Sequence, residues 1–180
     1  MLEDKLLVWQ LKRGNADALR RLYDKYKTDL LALAISLTGD RGQAEDVVHD
    51  AFVSFAAIAR QLRLRKSLKG YFLTSVANRV RTIRSRKQAQ PLDSEGFELF
   101  GVDFRTPESL AISAEQCELV GKAIAALPYE QREAIILRVQ GGMKFKRIAE
   151  ALGVSVNTAQ SRYRYGLKKL QSVLNGEVQK

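Results

Sequence analysis

Two short amphipathic patterns separated by a glycine constrain the fold of this chain most strongly, and both lie in its C-terminal quarter. Residues 144–152 place apolar side chains at i, i+3, i+4 and i+7, which is typical of one face of a short helix. Gly153 follows, where helices commonly end in a left-handed residue, and Ser155 is a favoured N-cap for a second helix. The apolar stripe predicted to be buried on that second helix consists of Val156, Ala159, Tyr163, Leu167 and Leu170.

The other faces of the second helix carry amide, hydroxyl and cationic side chains. These groups suit contacts with base edges and with phosphates. They are Asn157, Thr158, Gln160, Ser161, Arg162, Arg164 and Lys168. The two patterns together therefore predict a helix-turn-helix unit that binds DNA.

Positive charge is distributed unevenly along the 180 residues, which have a net charge of +10. Residues 1–88 hold 18 Lys/Arg against 9 Asp/Glu, and residues 128–180 hold 10 against 4. Residues 89–127 between them hold 2 Lys/Arg against 7 Asp/Glu. Clustered cations favour polyanion binding because phosphate contacts release counterions. The pattern indicates two nucleic-acid-binding modules joined by a segment that avoids phosphate, although two solvated basic surfaces would give the same charge.

Composition excludes several other classes of protein. Cys117 is the single cysteine, so a disulfide within the chain and a cysteine-based zinc site are both excluded, and a reducing, cytoplasmic setting is expected. No run of 18 apolar residues occurs, so no membrane span is expected. His49 is the only histidine, and it lies on a polar helix face where a surface or interface role is expected rather than a metal-ligating or catalytic one.

Helical periodicity covers most of the chain, and no segment alternates with period two, so the sequence predicts an all-α fold. A first helix is expected over residues 2–11, a second from Asn15 or Asp17 to Gly39, and a third from about Gln43 to Leu62. Ser67 is the expected cap of a fourth helix that runs to residue 87. Further helices are expected over residues 108–127 and from Pro128, which suits a first helical turn, to the break at Gly141-Gly142.

Residues 89–107 lose the helical period, and their two prolines, two glycines and four carboxylates are typical of a linker. We therefore expect two small helical domains, at residues 1–88 and 108–180, joined by this acidic linker.

The stretch from Ala51 to Leu92 contains no Asp or Glu but ten Lys/Arg. On the expected fourth helix, Asn78, Arg81, Thr82 and Ser85 share a face opposite the apolar stripe. A polar face flanked by arginines suits a single strand or an opened duplex. A solvated helix face is the alternative, but such faces usually mix both signs of charge because like charges repel.

Four stretches in order resemble the extracytoplasmic-function (ECF) branch of the bacterial sigma factors, the promoter-recognition subunits of RNA polymerase. The first is the pair Ala18-Leu19 and Leu22-Tyr23, and the second is AEDVVHDAF at residues 44–52. The third is YFLTSVANRVRTIRSRK at residues 71–87. The last is LPYEQREAIILR followed by IAEALGVSVNTAQSR. The resemblance spans nearly the whole chain and implies a protein that carries out no bond chemistry and needs no catalytic residue, cofactor or metal.

The resemblance also implies a division of roles along the chain. The C-terminal unit would bind the -35 element as duplex, with the seven polar residues named above, Asn157 to Lys168, at the DNA. The N-terminal domain would hold the non-template strand of the -10 element, with a loop at its edge that captures a flipped-out base. The residues implied for the -10 element are Leu62, Arg63, Arg65, Lys66, Asn78, Arg79, Arg81, Thr82 and Arg84.

The partners implied by the resemblance are core RNA polymerase, promoter DNA and an anti-sigma factor. The expected contact with the core enzyme is an acidic stripe made of Glu45, Asp46, His49 and Asp50. Acidic residues in a first helical turn also stabilise the helix itself, so both roles stay open for this stripe.

The chain departs from the family pattern at five positions. The family often has Gln at His49, Trp at Tyr71, Asp at Thr82, Glu at Arg147 and Val at Ala159. The changes at Thr82 and Arg147 make the expected DNA-facing surfaces more positive, which affects promoter preference rather than architecture.

Three other classes compete with a sigma factor. A structural nucleoid protein would explain the charge but not the two distinct polar faces. A helix-turn-helix regulator that acts without being a polymerase subunit would require a ligand-binding or receiver domain, and residues 1–88 show no βα alternation. A site-specific recombinase would require a nucleophile with an arginine constellation on a mixed α/β scaffold, which the helical periodicity disfavours.

Overall fold

The computed structural model describes residues 2–61, 67–88 and 114–178. Within these ranges the chain forms eight α-helices and no strand, which confirms the all-α class. They are α1 (Leu2–Lys12), α2 (Ala16–Thr38), α3 (Arg41–Ile58), α4 (Leu68–Gln88), α5 (Ala114–Ala125), α6 (Tyr129–Val139), α7 (Phe145–Leu152) and α8 (Val156–Val178). The predicted linker and the predicted helical segment over residues 108–113 lie outside the described residues.

Helix α2 is the centre of the N-terminal half and packs against α1, α3 and α4. Its start is fixed by Asn15, whose side chain accepts a hydrogen bond from the Asp17 backbone N–H at 2.9 Å. Its end is fixed by Gly39 at φ 73°, where the glycine N–H bonds to the Ile35 carbonyl. Both ends match the sequence prediction, with Asn15 rather than Asp17 as the cap.

An aromatic cluster fills the core between α2, α3 and α4. Phe72 on α4 is completely buried, and its ring centroid lies 4.4 Å from that of Phe52 and 4.9 Å from that of Phe55. Tyr26 and Tyr71 complete the cluster at 5.7 Å and 5.6 Å from Phe72. Offset and tilted rings at these separations stabilise a core beyond their buried area, so this cluster fixes how α4 is held on α2 and α3.

The boundaries of α3 and α4 refine the prediction. Helix α3 begins at Arg41 rather than near Gln43, because the Asp40 side chain accepts from the Gln43 backbone N–H at 2.6 Å and caps the helix two residues earlier. It ends at Ile58. Ser67 lies at the start of α4, where its hydroxyl accepts from the Gly70 N–H at 3.4 Å.

The C-terminal half consists of α5 to α8, with α8 lying along α6 and contacting α5 and α7. The predicted turn is confirmed: Gly153 has φ 65°, and the Ser155 hydroxyl accepts from the Thr158 N–H at 3.0 Å. Pro128 is the N-cap of α6, one position before the first turn. Gly142, at φ 60°, lies in the predicted break before α7.

The predicted buried stripe of α8 is partly wrong. Ala159 is fully buried, but Val156 and Leu167 are 40% and 38% exposed. The helix instead approaches α6 through Gly166, where an added Cβ would lie 2.8 Å from Ile135 Cδ1 and 3.1 Å from Gln131 Cβ. A glycine allows this close approach of the two helices. Because glycine has no side chain, the pattern of apolar residues does not indicate that Gly166 is buried.

The two halves of the chain touch. Helix α2 contacts α6, and α4 contacts α7. Buried residues of both halves, among them Tyr26, Phe72, Tyr129 and Ile148, belong to one apolar cluster. The face of α4 that points away from its own core therefore meets the C-terminal half. No helix in the described ranges is long and apolar enough to cross a membrane.

Candidate nucleic-acid interface

The N-terminal turn of α8 presents a polar surface on a rigid support. Fully buried Ala159 anchors this turn, and Ser155 caps it. Asn157, Thr158 and Gln160 are exposed around the anchor. The Thr158 hydroxyl lies 2.8 Å from that of Ser155, so it takes part in the cap and is held in place by it. A side chain held in this way suits contact with a base edge, because it loses little conformational freedom on binding.

Farther along α8 the predicted DNA-binding residues differ in exposure. Arg164 and Lys168 are exposed, whereas Ser161 and Arg162 are half-buried. The Arg164 guanidinium lies 5.4 Å from the Tyr165 ring centroid. Burial raises the pKa of the Glu133 carboxyl of α6, and Arg162 lies close enough to oppose this rise. The structure thus brings the seven predicted residues onto one helix, with five exposed and two turned towards the domain.

The second predicted surface, on α4, is largely engaged in contacts. Asn78, Thr82 and Arg84 are exposed, and Arg79 and Arg81 are half-buried. Arg79 pairs with Asp50 of α3 at 2.6 Å. The Thr82 hydroxyl donates to the Asn78 carbonyl one turn earlier at 3.0 Å. The ion pair joins a residue predicted to bind the -10 element to one predicted to bind the core enzyme.

Arg81 makes its contacts across the two halves of the chain. Its Nη2 donates to Glu133 Oε1 at 2.9 Å, and its Nη1 donates to the Ala151 carbonyl at 3.1 Å. The same Nη1 lies 3.3 Å from Asn78 Oδ1. The Arg84 guanidinium lies over the Tyr129 ring at 4.5 Å from its centroid. The C-terminal half therefore covers the part of the α4 surface that carries Arg81 and Arg84.

Burial at this contact shifts several pKa values. Glu133 is 2% exposed, and burial raises the pKa of its carboxyl although Arg81 and Arg162 oppose the shift. Burial, with Glu133 nearby, also raises the pKa of the Tyr129 hydroxyl. The pKa of Arg132 is lowered because this guanidinium is buried close to Arg84. Glu133 thus interacts with the guanidinium groups of Arg81 and Arg162, and Tyr129 interacts with those of Arg84 and Arg132.

The acidic stripe on α3 lies at the surface. Glu45, Asp46 and His49 are exposed, and Asp50 is half-buried in its pair with Arg79. Glu45 also pairs with Arg41 at 3.0 Å. Because α3 begins at Arg41, these acids lie beyond its first turn, and the prediction that they stabilise the start of the helix is wrong.

An apolar groove beside the acidic stripe was missed by sequence reasoning. It has a volume of about 470 Å³ and lies between α2 and α3. Val53 on its wall is 53% exposed and Tyr23 is 37% exposed. The lining residues are Ala16, Leu19, Arg20, Tyr23, His49, Phe52, Val53 and Ala56. The signal that could have found it is Val53, an apolar residue outside the buried stripe of α3.

The remaining predicted residues for the -10 element, Leu62, Arg63, Arg65 and Lys66, lie outside the described residues. Among the residues that the structure describes, no group of three His, Cys, Asp or Glu side chains could hold a metal ion.

Comparison with known proteins accounts for both halves of the chain. Sigma-70 region 2 matches residues 22–90, and sigma-70 region 4 matches residues 117–170. The ECF RNA polymerase sigma factor SigW of Bacillus subtilis (strain 168) is 25% identical over 179 residues, covering 94% of this chain and 96% of SigW. The ECF RNA polymerase sigma-E factor of Escherichia coli (strain K12) is 26% identical over 170 residues, covering 89% of this chain and 88% of that factor.

Solved structures share the fold. CnrH in complex with the cytosolic domain of CnrY has a TM-score of 0.68 at 21% identity, covering 97% of this chain and 98% of CnrH. The sigma factor RpoE in complex with the anti-sigma factor NepR from Bartonella quintana has a TM-score of 0.65 at 23% identity, covering 87% of this chain and 98% of RpoE. The chain belongs to the sigma-70 family of RNA polymerase sigma factors, in its ECF branch.

Proposed function

We propose that this chain binds core RNA polymerase, recognises the -35 and -10 elements of a promoter and promotes its melting. The proposal rests on two surfaces of one sigma-70 chain. One is the capped, exposed N-terminal turn of α8, and the other is the arginine-bearing face of α4, which suits a single DNA strand. A regulator that acts without the polymerase is not favoured, because both halves match sigma-70 regions rather than a ligand-binding or receiver domain.

At the -35 element, we assign base or near-base contacts to Asn157, Thr158, Ser161 and Arg162. Gln160, Arg164 and Lys168 serve phosphates. The exposure of Asn157 and Thr158 beside the Ser155 cap supports this assignment. Loss of one bidentate base contact costs about 1–3 kcal/mol and relaxes preference at that base pair. Loss of a phosphate contact weakens binding to all sequences and reduces the salt dependence.

At the -10 element, Asn78, Arg79, Arg81, Thr82 and Arg84 line the separated strand, and the loop of Leu62, Arg63, Arg65 and Lys66 captures a flipped-out base. Extruding a base costs a few kcal/mol. In this proposal the chain supplies cations that contact the DNA backbone and a pocket for the flipped-out base. It supplies no reacting group, so it acts as a binding subunit and not as an enzyme. We propose that it acts in the cytoplasm, because promoter DNA and core RNA polymerase are found there.

The polymerase contact consists of Glu45, Asp46, His49 and Asp50 together with the neighbouring groove. An acidic rim next to exposed apolar side chains suits a basic, amphipathic helical partner, because charge steers the encounter and apolar burial holds the complex. An anti-sigma factor is a further proposed partner. CnrH and RpoE, which share the fold, are each found in complex with a second protein.

Affinity for purified core RNA polymerase tests the polymerase contact. Val53→Asp places a charge in the groove at a half-exposed position, so the domain should still fold. Burying a valine contributes about 1.5–3 kcal/mol, so affinity should fall at least about tenfold. Val139→Asp on α6, where the native side chain is 66% exposed, is the matched control and should leave affinity unchanged. Equal affinity for the two variants would refute the groove as part of the contact.

A further inference from the structure

The outer face of α1 exposes large apolar side chains. Leu2 is 86% exposed, Leu6 is 51% exposed and Trp9 is 49% exposed. Their spacing of i, i+4 and i+7 places them on one side of the helix. The opposite side carries Leu7 and Val8, which are buried in the N-terminal core. Helix α1 is therefore apolar on two sides, and the domain uses one of them for its own packing.

Positive charge lies along the same exposed face. Lys5, Trp9 and Arg13 follow one another at a spacing of four residues, and both cations are exposed. The Arg13 guanidinium lies over the Trp9 ring at 3.9 Å from its centroid. A cation in this position attracts the face of the indole and so restrains it. The exposed side of α1 thus combines apolar groups with cations in adjacent rows.

The two acidic side chains of α1 are engaged with cations of α2. Asp4 pairs with Lys25 at 2.8 Å. Glu3 pairs with Lys25 and also lies 3.8 Å from Arg21. Exposed ion pairs of this kind contribute little to stability, but these pairs balance the carboxylates of the helix. The charge that α1 presents at its outer face is therefore positive.

This combination favours one kind of occupant over others. A second copy of the chain would bring like charges together, and a standard protein interface takes about 20–30 residues a side, more than one side of an 11-residue helix offers. DNA would contact the cations and leave the leucines uncovered. An anionic membrane surface suits both, because lipid phosphates attract cations while apolar side chains enter the boundary between headgroups and acyl chains. Tryptophan is enriched at that depth.

We propose that α1 docks the chain reversibly on the surface of an anionic phospholipid membrane. Leu2, Leu6 and Trp9 enter the headgroup region, and Lys5 and Arg13 contact lipid phosphates. The helix lies in the plane of the surface, because 11 residues are too few to span the hydrocarbon core. Three apolar side chains on one short helix keep the attachment reversible. The docking goes beyond the proposed function and involves neither α4 nor α8.

Fluorescence of the full chain tests the docking at the site itself, because Trp9 is the single tryptophan. The probes are vesicles of phosphatidylglycerol and phosphatidylethanolamine, the same vesicles with brominated acyl chains, and vesicles of phosphatidylcholine alone. The anionic vesicles should shift the Trp9 emission to shorter wavelength, and the brominated acyl chains should quench it. Phosphatidylcholine vesicles should bind at least about tenfold more weakly, because each cation near an anionic surface contributes about fivefold.

Vesicle sedimentation of matched variants measures what each group contributes. Leu6→Asp and Val139→Asp add the same charge at exposed apolar positions, and Leu6→Asp should bind anionic vesicles at least about tenfold more weakly than Val139→Asp. Lys5→Gln and Lys169→Gln remove the same charge from exposed positions, and Lys5→Gln should bind about fivefold more weakly. Circular dichroism verifies that all four variants are folded.

Three results would overturn the docking. Binding to anionic vesicles that is equal in Leu6→Asp and Val139→Asp, with no shift or quenching of Trp9, would assign it to non-specific attraction by the basic surfaces of the chain. A dimer in sedimentation equilibrium that Leu6→Asp dissociates and Val139→Asp does not would assign the face to a second copy. A wild type that ignores vesicles, with core-polymerase affinity lost in Leu6→Asp alone, would assign the face to a protein partner.

Discussion

The close approach of α8 to α6 at Gly166 gives the sharpest prediction for the stability of the C-terminal half. Gly166→Ala introduces a Cβ that lies 2.8 Å from Ile135 Cδ1, 3.1 Å from Gln131 Cβ and 3.4 Å from the Gln131 carbonyl oxygen. The Ile135 methyl group can rotate away, but Gln131 Cβ moves only with its backbone. Because two helices must separate by a few tenths of an ångström, the substitution should displace the recognition helix as well as destabilise the domain.

Two effects of opposite sign determine how much Gly166→Ala changes the free energy of unfolding. Alanine is favoured over glycine in a helix interior by up to about 1 kcal/mol. Overpacking a close contact costs about 1–3 kcal/mol. Because the clash with Gln131 outweighs the helix preference of alanine, Gly166→Ala should lower the free energy of unfolding by about 0.5–2 kcal/mol.

Gly176 provides a matched control on the same helix, since no atom lies within 4 Å of the Cβ that alanine would add there. Gly176→Ala should therefore leave stability unchanged or raise it slightly. The assay is urea unfolding of the full chain followed by circular dichroism at 222 nm. If Gly166→Ala proved as stable as Gly176→Ala, the packing of α8 on α6 described above would be wrong.

Three further predictions concern the core, the cap and the buried carboxyl. Phe72→Ala removes the central ring of the aromatic cluster and should lower the free energy of unfolding in urea by about 3–5 kcal/mol. A decrease below about 1 kcal/mol would argue against a packed cluster. Ser155→Ala removes the cap of α8 and should cost about 1 kcal/mol, while Ser155→Asp should retain most of the stability; equal losses for both would show that the cap contributes little. Burial raises the pKa of Glu133 above its ordinary value of 4.5, so its contribution to stability is fully present below that pH and is lost as pH rises through the raised value. The free energy of unfolding of the wild type, relative to that of Glu133→Gln, should accordingly fall as the pH rises above 4.5, and a constant difference would contradict the assigned burial.

Local signals in the sequence were sufficient for most of the helix ends. Asn15, Gly39, Gly153 and Ser155 each act through atoms of the same turn, so their roles follow from residue type and position alone. The start of α3 was misplaced by two residues because Asp40, which precedes the expected acids, is the residue that caps it.

Contacts between distant segments could not be predicted in this way. Periodicity placed Arg81 on a polar face, but nothing local indicates that Glu133, 52 positions later, lies 2.9 Å from it. The prediction of the buried stripe of α8 was partly wrong for the same reason. Gly166 packs against α6, while the larger Val156 and Leu167 face outwards. The groove at Val53 depends on how α2 and α3 meet. Each of these features is set by tertiary packing, which a single helix does not encode.

Transcription by core RNA polymerase on a randomised promoter library tests the central claim most directly. The account predicts transcripts only when the purified chain and the core enzyme are both present, with two shared motifs upstream of the start sites at a fixed spacing. Asn157→Ala should relax preference within the upstream motif and leave the downstream motif intact. Transcripts without any shared upstream motif, or sequence-specific DNA binding by the chain that does not require the core enzyme and yields no transcripts, would contradict it.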